Sequence, residues 1–280
     1  MKYALSATGL QRIEACATSD ALLAFDIDGT LAPIVERPRD ARVPDEVQRG
    51  LRRLAALAPL AIITGRAVSD ARAMLRFSPR YLIGNHGAEG VPGYEQASAA
   101  FMRVCRGWLD TLAADADPWR ELGGVALEDK TCSLAFHFRH ARDGRLAHRL
   151  LLERVRKLDP APALFDGKHV LNLLPPGAPD KGVALRAVLE HSHCGHALYI
   201  GDDVSDEAAF RLRSPAVLTL RVEHGNGSAA ELYLKSQAEI PVLLRTVEQI
   251  LRRAHRRRGK APRRGATARA RPAGSGSDRR

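Results

Sequence analysis

Two apolar runs, each ending in a group of carboxylates, restrict this chain more than any other feature. Ala21–Phe25 leads into Asp26-Ile27-Asp28-Gly29-Thr30, and residues 197–200 (ALYI) lead into Gly201-Asp202-Asp203, with Asp206 close behind. A short apolar run without alternation suits a strand buried on both faces, as in parallel sheets covered by helices. Ligands of open parallel sheets gather outside the C-terminal strand ends, which is where both runs place their acids. Gly29 allows a tight backbone turn, so Asp26 and Asp28 can converge on one point. Crowded carboxylates repel unless a cation sits among them, and a hard divalent ion such as Mg2+ suits an all-oxygen set. A carboxylate that is not fully neutralised can attack phosphorus, and a neighbouring acid can protonate the leaving oxygen. Asp-x-Asp-Gly alone is also an ordinary turn. The second acid group after a second apolar run argues against that reading.

Strand and helix patterns alternate around these runs. Strands are expected over 21–26, 60–64 and 81–83. A helix opening at Pro44-Asp45 carries Val47, Leu51, Leu54 and Leu57 on one face, and Ser69 is expected to cap another through Leu75. The middle of the chain reads helix (95–116), hairpin (125–127 with 132–138), helix (145–158), then a hairpin turning at Asp166-Gly167. After Pro175-Pro176-Gly177 the first style returns, with helices over 181–191, 207–212 and 240–251 and strands over 197–200 and 217–220. The expected fold class is therefore α/β: a Rossmann-like parallel-sheet core interrupted by an inserted α+β domain. The divisions are 1–92 and 178–251 for the core, 93–177 for the insertion, and 252–280 for a disordered basic tail.

Charge is the one compositional feature that could mislead. Lys and Arg number 43 against 32 Asp and Glu, a net charge of +11. Twelve of the basic residues lie from Arg252 onward beside a single acid, Asp278, leaving 31 of each sign before them. The body is neutral, so the basic excess does not mark it as a nucleic-acid binder; only the tail could make nonspecific, salt-sensitive contact with RNA or DNA. The longest apolar run, Leu54 to Ile63, has ten residues and contains Pro59, too short for a membrane span. Cys16, Cys105, Cys132 and Cys194 form no C-x-x-C pair and read as reduced thiols. With no secretory pattern at the N-terminus, the expectation is a cytoplasmic, monomeric protein.

Asp26-Ile27-Asp28-Gly29-Thr30-Leu31, Thr64-Gly65-Arg66, Lys181-Gly182 and Gly201-Asp202-Asp203-Val204-Ser205-Asp206-Glu207 resemble, in order, the four motifs of haloacid dehalogenase-like phosphatases. The resemblance implies that Asp26 is the nucleophile, Asp28 the general acid and base, Thr64 a phosphoryl ligand and Lys181 the neutralising cation. Mg2+ is implied at Asp26, the Asp28 carbonyl and Asp202, with Asp203 and Asp206 in support. An acid at position 28 favours phosphoester hydrolysis or mutase chemistry, both of which need proton transfer to an ester oxygen. Residues 25–35, 84–89 (GNHGAE), 128–139 (EDKTCSLAFHFR) and 180–185 further resemble trehalose-6-phosphate phosphatases. That implies a cap domain closing over a sugar phosphate. Its implied contacts are Glu128, Lys130, His137, Arg139 and Asn172 from the cap, and Gly65, Arg66, Asn85 and His86 from the core. On strands, His137 and Arg139 share a face, as do Glu128 and Lys130. Arg66 could bind phosphate or pair with Asp70.

One segment departs from the family pattern. The last cap strand usually carries an acid and then a base before proline, whereas here these are Asn172 and Leu174, followed by Pro175. Hydrolysis of trehalose 6-phosphate is the leading expectation. The same chemistry on another sugar phosphate, such as a glycosyl-phosphoglycerate, is the first alternative, and a noncatalytic sugar-phosphate sensor the second.

Overall fold

The computed structural model of the chain describes residues 1–35, 37–114, 123–167 and 169–260. Its larger layer is a seven-stranded sheet in which every pairing is parallel. The strands are β1 (Lys2–Tyr3), β2 (Ala21–Phe25), β3 (Leu60–Ile63), β4 (Tyr81–Ile83), β9 (His196–Gly201), β10 (Val217–Val222) and β11 (Leu232–Leu234). Their spatial order is β1-β11-β10-β9-β2-β3-β4. The two acid-bearing strands, β2 and β9, are therefore neighbours at the centre, paired from Ala21 with His196 to Phe25 with Ile200.

Both faces of this sheet are covered, which explains why β2 and β3 contain only buried residues. Helices α1 (Ala7–Cys16), α2 (Asp45–Ala55) and α8 (Ile240–Lys260) bury Ile13, Leu51, Leu54, Leu243 and Val247 on one side. Helices α6 (Lys181–Ser192) and α7 (Glu207–Phe210) bury Leu185, Val188 and Phe210 on the other. Helix α3 (Val68–Met74) begins one residue before Ser69, with Ala67 at its N-cap position. The cap contact comes instead from Glu89, whose Oε2 accepts from the Val68 N–H at 2.9 Å.

The insertion between β4 and α6 builds a second layer. An antiparallel sheet runs in the order β5 (Ala126–Asp129), β6 (Leu134–His137), β8 (Val170–Leu174), β7 (Ala163–Gly167). Leu134, Phe136, Leu171 and Leu173 point to one side and bury against Trp108 of α4 (Glu95–Ala114) and Leu151 of α5 (Gly144–Val155). The alternating residues face the other way, toward the C-terminal ends of β2, β3 and β9.

The structure corrects the chain's ends. Strands β1 and β11 and helix α1 were not expected: two strands are too short to carry a period, and α1 mixes Gly, Thr and Gln among its apolar residues. Helix α8 also continues to Lys260, so residues 252–260 are helical instead of opening a disordered tail. Arg and Ala are good helix formers, and the His255 ring hydrogen-bonds the Leu57 carbonyl at 2.9 Å, tying the extension to the turn that follows α2. The rest of the expected tail, 261–280, lies outside the described residues. No helix among the described residues is long and apolar enough to cross a membrane.

Candidate active site

Asp26 follows the last residue of β2 and is almost completely buried, as is Lys181 at the start of α6. The Lys181 ammonium lies 3.0 Å from Asp26 Oδ2 and 2.8 Å from Asp206 Oδ1. Asp206 has no oxygen to spare. Its Oδ1 also accepts from the Tyr199 hydroxyl, and its Oδ2 accepts from the Asp202 and Asp203 N–H groups at 3.0 and 2.9 Å. It braces Lys181 and the 202–206 loop from beneath, and Asp203 turns on that brace. Asp202 is held from the opposite strand, its Oδ1 accepting from Thr30 Oγ1 at 3.1 Å.

This closeness depends on Gly29, which sits at φ +77°, where a Cβ would lie 2.0 Å from Asp202 Oδ2. Gly65 has a similar role beside His86, whose Cε1 would be 2.3 Å from an added Cβ.

Carboxylate oxygens of Asp26, Asp202 and Asp206 lie within 4.8 Å of one another, and Lys181 supplies a single positive charge among them. Burial pushes the Asp26 carboxyl up to about 7, with Lys181 pulling it back, and pushes Asp202 up to about 8, reinforced by Asp26 and Asp206. Burial disfavours the charge on Lys181, but Asp206 and Asp26 outweigh it and raise its affinity for its proton. The fully buried Asp26 Oδ1 has no hydrogen-bond partner among the described residues. Negative charge in excess of one lysine, and a carboxylate oxygen left bare beside a second aspartate, fit a hard divalent cation.

Asp28 projects further out. Arg66 grips it with two parallel hydrogen bonds, Nε to Oδ2 at 2.7 Å and Nη2 to Oδ1 at 2.6 Å. Burial works against the guanidinium charge, and the Asp28 hydrogen bonds more than compensate, raising its affinity for the proton. Asp28 is thus a bidentate charged partner of Arg66, and the Asp70 charge adds to the field that favours the guanidinium.

A cavity of about 290 Å³ opens above these groups. Asp26, Asp28, Gly65, Arg66 and Lys181 line it from the core, joined by His86, Asp202 and Asp203. Glu128, Lys130, His137, Arg139 and Asn172 line it from the antiparallel sheet. Glu128 Oε2 is 2.7 Å from His137 Nε2 and 3.8 Å from Lys130 Nζ. Burial raises the Glu128 carboxyl, but His137 and Lys130 bring it below its ordinary value. Burial depresses Lys130, only partly offset by Glu128 and Asp28. His86 is driven well below its usual range by burial and by Lys130 and Lys181, so its imidazole is neutral.

Two expected site residues stand apart from the cavity wall. Thr64 is fully buried at the end of β3, where its Oγ1 accepts from the Arg66 N–H at 3.3 Å. Asn85 is fully buried as well. Its amide donates to Glu89 and to the Lys130 carbonyl at 2.7 and 2.9 Å, and its Oδ1 accepts from Ser133. Asn85 ties the two layers together, and it is not among the residues lining the cavity. Three residues were overlooked: Tyr199 behind Asp206, Ser133 on Asn85, and Phe165, which lines the cavity; Thr30, which meets Asp202, stood among the strand-end polar residues without a role. Thr30 was signalled by its place next to Gly29. Tyr199 was hidden within an apolar run.

A central pair of parallel strands delivering acids to a buried lysine, under an inserted sheet, defines the haloacid dehalogenase-like class. Within it, the chain belongs to the trehalose-phosphatase family, whose model matches residues 24–236. It is 36% identical over 223 residues to an uncharacterized glycosyl hydrolase of Mycobacterium tuberculosis, covering 75% of this chain and 17% of that protein. It is 31% identical over 262 residues to the trehalose-phosphate phosphatase of the same organism, covering 86% of this chain and 66% of the relative. The chain thus spans about a sixth of the first relative's length and just under two thirds of the second's. A solved trehalose-6-phosphate phosphatase related protein shares the fold with a TM-score of 0.66 at 24% identity, covering 82% of this chain and 97% of that one.

Proposed function

We propose that this chain is a Mg2+-dependent phosphatase that hydrolyses trehalose 6-phosphate to trehalose and phosphate. The observation that carries the reading is the asymmetry of Asp26: one oxygen held by Lys181, the other buried and unpartnered. A carboxylate prepared in this way has a free lone pair and a fixed orientation, which is what nucleophilic attack requires.

In the first step an Asp26 carboxylate oxygen bonds to phosphorus as the phosphorus–sugar oxygen bond breaks, and Asp28 gives its proton to the departing oxygen. In the second, Asp28 takes a proton from a water that attacks phosphorus, and the bond to Asp26 breaks to release phosphate. Lys181 stays charged throughout and offsets the negative charge around the phosphoryl group. Asp26, Asp202 and the Asp28 carbonyl are the groups that would hold Mg2+, which when bound supplies positive charge to the phosphoryl oxygens. Asp206, with its lone pairs already engaged, acts as the brace. Asp28 must leave Arg66 before it can carry a proton, and an arriving phosphate dianion competes for that guanidinium with the bidentate geometry it favours.

Glu128, His137 and Asn172 give the cavity roof hydrogen-bonding groups suited to sugar hydroxyls. Support for the substrate comes from the family match and the name of the 31%-identical relative. The apolar Leu174 at the end of β8 favours a second reading, in which a different sugar phosphate is preferred. Phosphate release from a panel of sugar phosphates in Mg2+ decides between them. Trehalose 6-phosphate should give the highest kcat/KM; a glycosyl-phosphoglycerate turned over faster would replace it, and no release from any member would refute the phosphatase reading.

A further inference from the structure

The neutrality of residues 1–251 conceals a separation of charge. Residues 137–157 hold seven Lys and Arg against two acids, Asp143 and Glu153, a formal charge of +5. The other residues before Arg252 therefore hold 24 basic and 29 acidic side chains, a formal charge of −5. Helix α5 determines where the positive charge is displayed. Ala147, Leu151 and Val155 are buried on one side, so Arg145, Arg149 and Arg156, four and seven residues apart, share a stripe on the other. Arg142, Arg145, Arg149, Arg156 and Lys157 are all exposed, and none of them pairs with a carboxylate among the described residues.

The N-terminal end of this stripe borders an open cavity next to the one above Asp26. Arg142, Arg145, His148 and His169 line it, and Gly167 at the end of β7 lines both. The two acids on its wall are already engaged. Asp143 Oδ1 accepts from the Arg145 and Leu146 N–H groups at 3.0 and 2.9 Å, and Asp166 Oδ1 lies 2.6 Å from His148 Nε2. The cavity above Asp26 has the opposite balance: six acids line it against four Lys and Arg. A divalent ion would cancel that formal excess of negative charge but not reverse it. Long-range attraction for a phosphate dianion must therefore come from outside that cavity, and the basic end of α5 is adjacent to it.

Exposed charges act over roughly a Debye length, about 10 Å at 0.1 M salt and about 30 Å at 0.01 M. A one-sided field beside a cleft raises the local concentration of an oppositely charged ligand and its rate of entry. We infer that the end of α5 formed by Arg142, Arg145 and Arg149 is an anion-collecting surface, which draws phosphorylated substrate to the mouth of the neighbouring cavity. It acts on the phosphate dianion and not on the sugar. The inference rests on the phosphatase reading above and adds to it the groups that govern capture. None of the three arginines lines the cavity above Asp26, so the chemical step does not depend on them.

Phosphate release from trehalose 6-phosphate and glucose 6-phosphate at saturating Mg2+, measured from about 10 to about 200 mM NaCl, tests this. The variants are Arg142→Glu/Arg145→Glu/Arg149→Glu and a control, Arg253→Glu/Arg256→Glu/Arg257→Glu. The control makes the same change in net charge at the far end of α8, beside Leu57, where the chain enters β3. Wild-type kcat/KM should fall several-fold as salt rises. The α5 variant should start about tenfold lower at low salt and vary little, with kcat unchanged and both substrates affected alike. The α8 variant should follow the wild type. Coincident salt curves for the wild type and the α5 variant, or an equal loss in the α8 variant, would overturn the collecting surface while leaving the phosphatase reading standing. A loss confined to one sugar phosphate, or a fall in kcat, would place these arginines at the bound substrate and also overturn it. No release from either substrate by the wild type would remove both readings. Thermal melts show whether each variant is folded; should charge reversal unfold the chain, Arg142→Gln/Arg145→Gln/Arg149→Gln removes the same charges and should give a smaller loss of the same kind.

Discussion

Asp26 and Asp28 are two residues apart and of the same type, yet their surroundings divide them. Asp26 is sealed against Lys181 with one oxygen bare, whereas Asp28 stands at the cavity edge with both oxygens on Arg66. Their substitutions should therefore fail differently. Asp26→Asn removes the attacking group and should lower kcat by about 10⁴-fold or more, as for other nucleophile deletions. Asp28→Asn removes the proton carrier and should cost on the order of 10²–10⁴-fold. Phosphate-release assays on folded variants check both, and wild-type rates in either would dismiss its assigned role. At this scale the sequence pointed to residues whose chemistry and strand-end position agreed, as for Asp26, Asp28 and Asp202, whereas Lys181, at the start of α6, was reached only through the family motif. The sequence was not readable where a polar side chain turns inward, because Asn85 in its Gly84–Glu89 loop has the same local pattern whether it meets a ligand or another layer.

The element that Asn85 holds is the β5–β6 hairpin. Ser133 and Asn85 are both buried, Cys132 packs with Ala88 and Phe101, and the Lys130 ammonium donates to the Gly65 carbonyl at 3.2 Å. The hairpin tip is thus fastened to the core, and Lys130 reaches the cavity from a fixed base instead of a mobile arm. Ser133→Ala leaves Asn85 Oδ1 buried without this donor, a loss of about 1–3 kcal/mol. Denaturant melts should show that loss, and KM for the sugar phosphate should rise more than kcat falls; unchanged stability and KM would mean the contact is idle. The strands and helices of this layer were legible because alternation and 3.6-residue periods are local. Their docking partner was not, since Asn85 and Ser133 are 48 residues apart and nothing local relates them. The missed β1 and β11 have the same cause: each is stable only as a neighbour of the sheet already formed.

For the molecule as a whole, the buried acids link stability to pH and to metal. Carboxyls that titrate near 3.9 in an unfolded chain are raised to about 7 for Asp26 and about 8 for Asp202 in the fold. Between those limits the folded state binds more protons than the unfolded one, so its stability is fullest below pH ~4 on this account and declines as pH rises through ~7 to ~8. A divalent ion that binds the ionised acids should reverse the decline. The thermal midpoint in chelator should fall between pH 6 and 8.5, and Mg2+ should raise it more at pH 8.5 than at pH 6. An equal Mg2+ effect at both pH values would place the ion elsewhere. The basic excess of the sequence falls from Arg252 onward, and residues 252–260 of that stretch continue α8. The catalytic roles of Asp26, Asp28 and Lys181 all require Asp26 to become covalently attached to phosphorus. Acid quenching during turnover of trehalose 6-phosphate, followed by mass spectrometry of the peptide containing Asp26, tests that directly. The account predicts a phosphoryl group on Asp26 in the wild type and none in Asp26→Asn; turnover with that peptide always unmodified, or with phosphate attached to a different residue, would contradict it.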